Sequence, residues 1–374
     1  MKSFPLKCML ACIMSITLNV LMAQGLSSSL PLKANIYDVL LKDSLKVLDI
    51  GNSYTTDATT MLPLIVKESK INVDDMCLYI TSRGGGSFHT WLNCLHDKDG
   101  AKYSISKVLG GITANVTIGV GDSLDGSLFR KLLSDEQWDI ILLHPVSDVA
   151  PYYERWTQDN SSGHLDELLE EIRQYQPQAV IGFLLVHSYW GGYSSNKEHS
   201  ALERWRLIAT SIEQLTKDYD IKFVIPYGTA VQNLRASSYN NEYDLTRDGT
   251  HLGYGLARYA AACCYFQSLI YPRSGVSVIG NAARYDASKV NPDYHSSISV
   301  DDTNAYIAQL AADLATKHPY ECINPEEVAS VVGVPSSDRQ ESIFSIQGIP
   351  MDGLRKGLNI VRTAQGTVRK EMRR

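Results

Sequence analysis

Two short segments of this 374-residue chain, almost 200 positions apart, carry residue types that together could break an acyl bond. The first is Val47-Leu-Asp-Ile-Gly-Asn-Ser-Tyr54, an apolar run that ends at Gly51 and delivers Ser53 onto the turn that follows. A serine at such a strand-to-helix turn projects its hydroxyl above the C-terminal edge of a sheet, where ligands of open α/β folds sit. Gly51 has no Cβ to obstruct a sharp turn, and nearby N–H groups, that of Ser53 included, can face a developing oxyanion. Ser53 also suits a plainer role as a helix cap. The second segment is Arg247-Asp-Gly-Thr-His-Leu252. Asp248, three residues before His251, can hold the imidazole Nδ1–H while Nε2 takes a proton from a serine. Alone, Asp-x-x-His reads equally well as a cap or a surface pair. Paired with the earlier Gly-Asn-Ser, it points to nucleophilic catalysis.

These residues need a scaffold that brings both segments to one edge. Lys46–Ile50, Asp139–Leu143, Val180–Val186 and Lys222–Ile225 are apolar runs of the length expected for strands buried on both faces. Between and after them, 164–175, 202–215, 255–269 and 304–316 repeat apolar residues at helical spacing. Strand alternating with helix predicts βαβ units and a doubly wound, three-layer α/β/α parallel sheet. Residues 98–125 break the rhythm and read as an inserted hairpin or long loop. The chain is divided into an N-terminal segment 1–23, a leader 24–44, the α/β body 45–322, a linker 323–342 and a β-rich tail 343–374.

The two chemical segments resemble the first and last blocks of the SGNH (GDSL-type) hydrolases. More narrowly, the chain is similar to a bacterial SGNH-like family of uncharacterised function. The matching stretches are Gly51-Asn-Ser-Tyr-Thr55, Gly85-Gly-Ser-Phe88, Trp138-Asp-Ile-Ile-Leu-Leu-His-Pro-Val-Ser147 and Asp248 through Ala262. The resemblance implies a flavodoxin-like fold in which Ser53 is the nucleophile, His251 the base and Asp248 its orienter, with the N–H groups of Ser53 and Gly86 in the oxyanion hole. It also marks a departure. Where such enzymes offer a side-chain amide, this chain has His144-Pro145, so His144 either donates through a ring N–H or is an ordinary strand-end residue. Gly121-Asp-Ser-Leu124 spells the motif name literally, but no buried strand precedes it, and Ser123 reads as a turn. Tyr152, Tyr153 and Trp156 follow the Asp139–Leu143 run and could stack on sugar rings, and His187 and Trp190 follow the Val180–Val186 run and could line the substrate cleft, though each could equally be packing. The implied reaction is hydrolysis of a short-chain, acetyl-like ester on a small molecule or glycan, without cofactor or metal. The alternatives are a catalytically silent carbohydrate-binding protein and a lipase- or thioesterase-like hydrolase.

Composition narrows the partners. The formal charge is −6, yet 351–374 carry +5 and Lys2 and Lys7 add +2, leaving −13 on residues 24–350. So acidic a body repels phosphate backbones and argues against nucleic acid as a partner. Lys2, Lys7 and the apolar run to Ala23 read as a secretory signal peptide, too short for a membrane span. The expected location is the periplasm, the cell surface or the medium of a Gram-negative bacterium. The tail resembles C-terminal sorting modules read by type IX-like secretion machinery. Cys77, Cys94, Cys263, Cys264 and Cys322 remain after residue 23, an odd set without tight spacing. Most are expected to be buried small hydrophobes.

Overall fold

The computed structural model describes residues 35–96, 103–113, 126–193, 198–290 and 297–332, and in the tail 342–344, 350–351, 356–362 and 368–373. Residues 1–34, Ser123 and the second half of the expected linker, 333–341, lie outside them. β1 (Leu45–Gly51), β2 (Met76–Ser82), β3 (Ser104–Leu109), β4 (Ile140–Leu143), β5 (Val180–Leu184) and β6 (Phe223–Ile225) form one sheet in the order 3-2-1-4-5-6, with helices between them. All neighbours are parallel except β3, which runs antiparallel to β2 from Leu78↔Leu109 to Ser82↔Ser104. The irregular stretch at 98–125 therefore contributes an edge strand. Without it the order is the flavodoxin-like one, with β1 central and the direction of winding reversing between β1 and β4.

The strands are continuous apolar runs because both faces are covered. Leu45, Val47, Leu48, Leu78, Ile140, Ile141 and Leu142 are fully buried. The Ala201–Asp218 helix starts with a capping box, Ser200 and Glu203 bonding each other's main chain. It packs Trp205, Ile208, Ile212 and Leu215 inward.

Two boundaries shift. Ile36, Val39 and Leu40 of the supposed leader form a short helix whose apolar side is buried, so the folded body begins before residue 45. Pro325–Val332, assigned to the linker, is a helix packed against Ala305–Lys317 with Ala329 in the core. In the tail, Ser342–Phe344, Pro350–Met351, Gly357–Arg362 and Val368–Arg373 pair antiparallel with one another as a separate four-stranded sheet. Cys77, Cys94, Cys263 and Cys264 are buried and Cys322 is partly so, all as free thiols.

Candidate active site

β1 ends at Gly51, Asn52 stands in extended conformation, and Ser53 opens the Ser53–Thr59 helix. Asn52 caps that helix through Tyr54 N–H at 2.9 Å, and its amide donates to Gly86 O at 3.1 Å. One side chain thus fixes both the serine turn and the Gly85-Gly86 turn. A Cβ at Gly51 would lie 2.2 Å from Thr55 Oγ1 and 2.4 Å from His144 Nε2, so only glycine fits there.

From the far end of the body, the loop 247–252 returns to the same edge. Ser53 Oγ lies 2.8 Å from His251 Nε2, and His251 Nδ1 lies 2.7 Å from Asp248 Oδ2. The other carboxylate oxygen accepts from His251 N–H at 2.8 Å and from Thr250 N–H and Oγ1, both at 3.0 Å. Burial works against the Asp248 charge. The His251 side chain and the two main-chain donors outweigh it and hold the carboxyl well below the usual carboxylate range. The His251 and Asp248 side chains are 28% and 35% exposed, enough for solvent and substrate to reach them.

The other expected site residues are placed differently. Gly86 N–H closes a turn onto Arg83 O at 2.9 Å, so it is not free to meet an oxyanion. His144 is buried, its Nε2 3.0 Å from Thr55 Oγ1 and its Nδ1 2.9 Å from Pro145 O. Both ring nitrogens are engaged beneath the serine turn, and burial depresses the ring pKa to about 4, keeping it neutral. Ser53 N–H alone of the three expected donors has no acceptor among the described residues. Trp156 is fully buried, its indole N–H donating to Val149 O at 2.9 Å and its ring against Phe88; it is core, not a sugar platform. Tyr152 carries the Arg155 guanidinium over its ring at 4.5 Å. Trp190 is joined to the histidine loop, its N–H bonding Gly249 O at 2.9 Å and its ring 5.0 Å from Tyr243.

Tyr54, His187 and Thr250 support the histidine loop. Tyr54 stacks on His187 at 4.1 Å, and His187 Nε2 meets Thr250 O at 2.7 Å, bracing the loop from below. Thr250 Oγ1 bonds Asp248 directly. Among the described residues, no three His, Cys, Asp or Glu come together in a way that could hold a metal ion. A cleft of about 830 Å³, lined by Leu40, Phe223, Tyr271 and Tyr320 among others, contains none of the site residues.

Under Gly51 lies a second titratable group. Asp49 is fully buried, accepts from Tyr265 OH at 2.7 Å, and meets Thr55 Oγ1 at 3.3 Å. Burial lifts its pKa from 3.8 to about 7, the two hydrogen bonds opposing only part of the rise. Because the folded pKa is raised, the folded state binds the extra proton. The stabilisation is complete below about 3.8 and is lost as pH climbs through about 7. Asp49→Asn is therefore expected to raise Tm relative to wild type more at pH 8 than at pH 4. Equal Tm differences at the two pH values would show that Asp49 is ionised throughout.

One solved structure shares this architecture over most of the chain. A crystal structure of a DUF4886 family protein from Bacteroides uniformis superposes with a TM-score of 0.59 at 25% identity, covering 76% of this chain and 99% of that one. Two more distant structures are a candidate SGNH hydrolase from Slackia heliotrinireducens and a gut microbial diltiazem-metabolizing enzyme. The first has a TM-score of 0.39 at 16% identity, over 60% of this chain and 98% of that one. The second has a TM-score of 0.33 at 12% identity, over 61% of this chain and 47% of that one. No curated protein matches the chain. The family model of the domain of unknown function DUF4886 matches residues 46–306, and the chain belongs to that family.

Proposed function

We propose that the protein is a serine esterase of the SGNH class acting on short-chain, acetyl-like esters. The observation that carries this reading is the continuous hydrogen-bonded path Ser53 Oγ–His251 Nε2 and His251 Nδ1–Asp248 Oδ2, at the sheet edge where the winding reverses. In the proposed cycle Ser53 Oγ attacks the ester carbonyl as its proton passes to His251 Nε2. Asp248, held ionised by its donors, stabilises the resulting imidazolium. Ser53 N–H meets the oxyanion. Collapse expels the alkoxide, which takes the His251 proton and leaves as alcohol, with the acyl group on Ser53. Water attacks that acyl-enzyme by the same route, returning the carboxylic acid and the free serine. The exposure of Asp248 and His251 suits a bulky alcohol held outside the body, such as a carbohydrate, with Trp190 at its edge. Export through residues 1–23 and sorting through the tail belong to the same proposal.

One observation favours a second reading, a silent carbohydrate-binding protein on this scaffold. With Gly86 N–H and His144 engaged elsewhere, the oxyanion site keeps one of its expected donors, and each lost donor typically costs about 10²–10³ in rate. Turnover of p-nitrophenyl acetate separates the two. The esterase reading expects hydrolysis by the wild type and none above background by Ser53→Ala. Equal rates for both proteins would overturn it.

A further inference from the structure

We propose that Asp57 is a positioning residue that fixes the reach of His251 to Ser53, an inference that rests on the esterase reading. Asp57 sits four residues, about one helical turn, beyond Ser53 on the same short helix, and its side chain is 2% exposed. Its Oδ2 accepts from Arg247 Nη1 at 2.8 Å and from Leu252 N–H at 3.0 Å, and its Oδ1 accepts from Arg258. Arg247 and Leu252 are the residues immediately flanking Asp248–His251. The loop between them is already closed on itself, Arg247 N–H bonding His251 O at 2.9 Å and Arg247 Nη1 bonding Leu252 O at 2.6 Å. Tyr254 lies under both guanidinium groups, 4.8 and 4.5 Å from its ring centre. A closed loop is thus fastened at both ends to one carboxylate, and that carboxylate rides on the helix that carries the nucleophile. Asp57 bonds Arg247, Leu252 and Arg258, and neither Ser53 Oγ nor His251. Its effect on chemistry passes through the Ser53–His251 distance, where a misplacement of about 1 Å can cost about 10²-fold in rate.

A buried ion cluster that only held the fold together would lower Tm without a selective loss of rate. The experiment therefore measures three quantities on the full chain, at temperatures well below each variant's Tm. They are kcat and KM for p-nitrophenyl acetate, the rate of Ser53 labelling by a fluorophosphonate, and Tm. Asp57→Asn is expected to lower kcat and labelling by about 10²-fold while KM stays within about threefold. Arg247→Met leaves Asp57 its bonds to Arg258 and Leu252 N–H, so it should fold even if Asp57→Asn does not, and should lose about tenfold in kcat. The comparison is Glu136→Gln, which breaks the buried 2.5 Å pair with Lys46 at the opposite end of β1. It should lower Tm and leave kcat alone. A folded Asp57→Asn or Arg247→Met with wild-type kcat and labelling overturns the proposal, as does Glu136→Gln with an equal loss of rate. A wild type that neither turns over nor takes label overturns the esterase reading, and this inference with it.

Discussion

His251→Ala is expected to reduce ester turnover on the order of 10⁵–10⁶-fold, as much as Ser53→Ala, and the double variant should fall no further. The reason is the geometry of the chain of bonds. Ser53 Oγ has His251 Nε2 as its proton acceptor at 2.8 Å, so removing either end removes the same event. Asp248→Asn should cost less, on the order of 10⁴-fold, because an amide can still occupy the site but no longer stabilises the imidazolium or selects the tautomer. Initial rates with p-nitrophenyl acetate and mass detection of the acyl-enzyme decide the matter. A double variant clearly slower than both singles would mean that Ser53 and His251 act in separate steps.

Gly51→Ala carries the second large effect. The added methyl would overlap Thr55 Oγ1 and His144 Nε2, both on buried residues whose own bonds tie them in place. Overpacking of that kind costs about 1–3 kcal/mol where neighbours can shift, and here any shift lifts the Ser53 turn away from His251. Loss of Tm together with about 10²-fold or more in kcat is expected. Full activity at unchanged Tm would show that the serine turn has space which the fold does not reveal. The opposite-edge Gly275→Ala offers a contrast: its Cβ meets nothing within 4 Å, though φ is +68°, so strain without collision should lower Tm and spare the rate.

The central elements were legible because their chemistry is one-sided. β1, β4, β5 and β6 read as strands since nearly every side chain is apolar, and the helices at 165–175, 201–218 and 305–317 since their buried positions recur with helical period. β2 was not read as a strand: Met76-Cys-Leu-Tyr-Ile-Thr-Ser ends in polar residues, yet Thr81 is fully buried. The Tyr227–Arg235 helix was missed for a related reason. Gln232, Asn233 and Arg235 are buried there, so polarity no longer marks the outer face. Arg235 stays inside because Ser188 and Asp244 O accept its guanidinium protons. At the site, Ser53, Asp248 and His251 could be picked out because their residue types are chemically specific. The roles of Gly86, His144 and Trp156 stayed open in the sequence, because nothing in a residue's type tells whether its N–H or ring is already engaged. Asp57 was invisible in sequence: its partners lie 190 or more positions away.

That separation has a consequence in time as well as in space. The Ser53–His251 contact spans 198 residues and joins the first strand-to-helix turn to a loop beyond the last strand of the sheet. Contacts so distant in sequence close late, because the chain entropy between them must first be given up to the intervening strands and helices. The sheet can therefore assemble while the serine is still without its base, and hydrolytic competence should be the final property a refolding chain acquires. After dilution from denaturant, tryptophan fluorescence from the buried Trp138, Trp156 and Trp205 should recover before activity does. A ribosome-bound fragment ending short of residue 247 would hold the nucleophile but no means to deprotonate it.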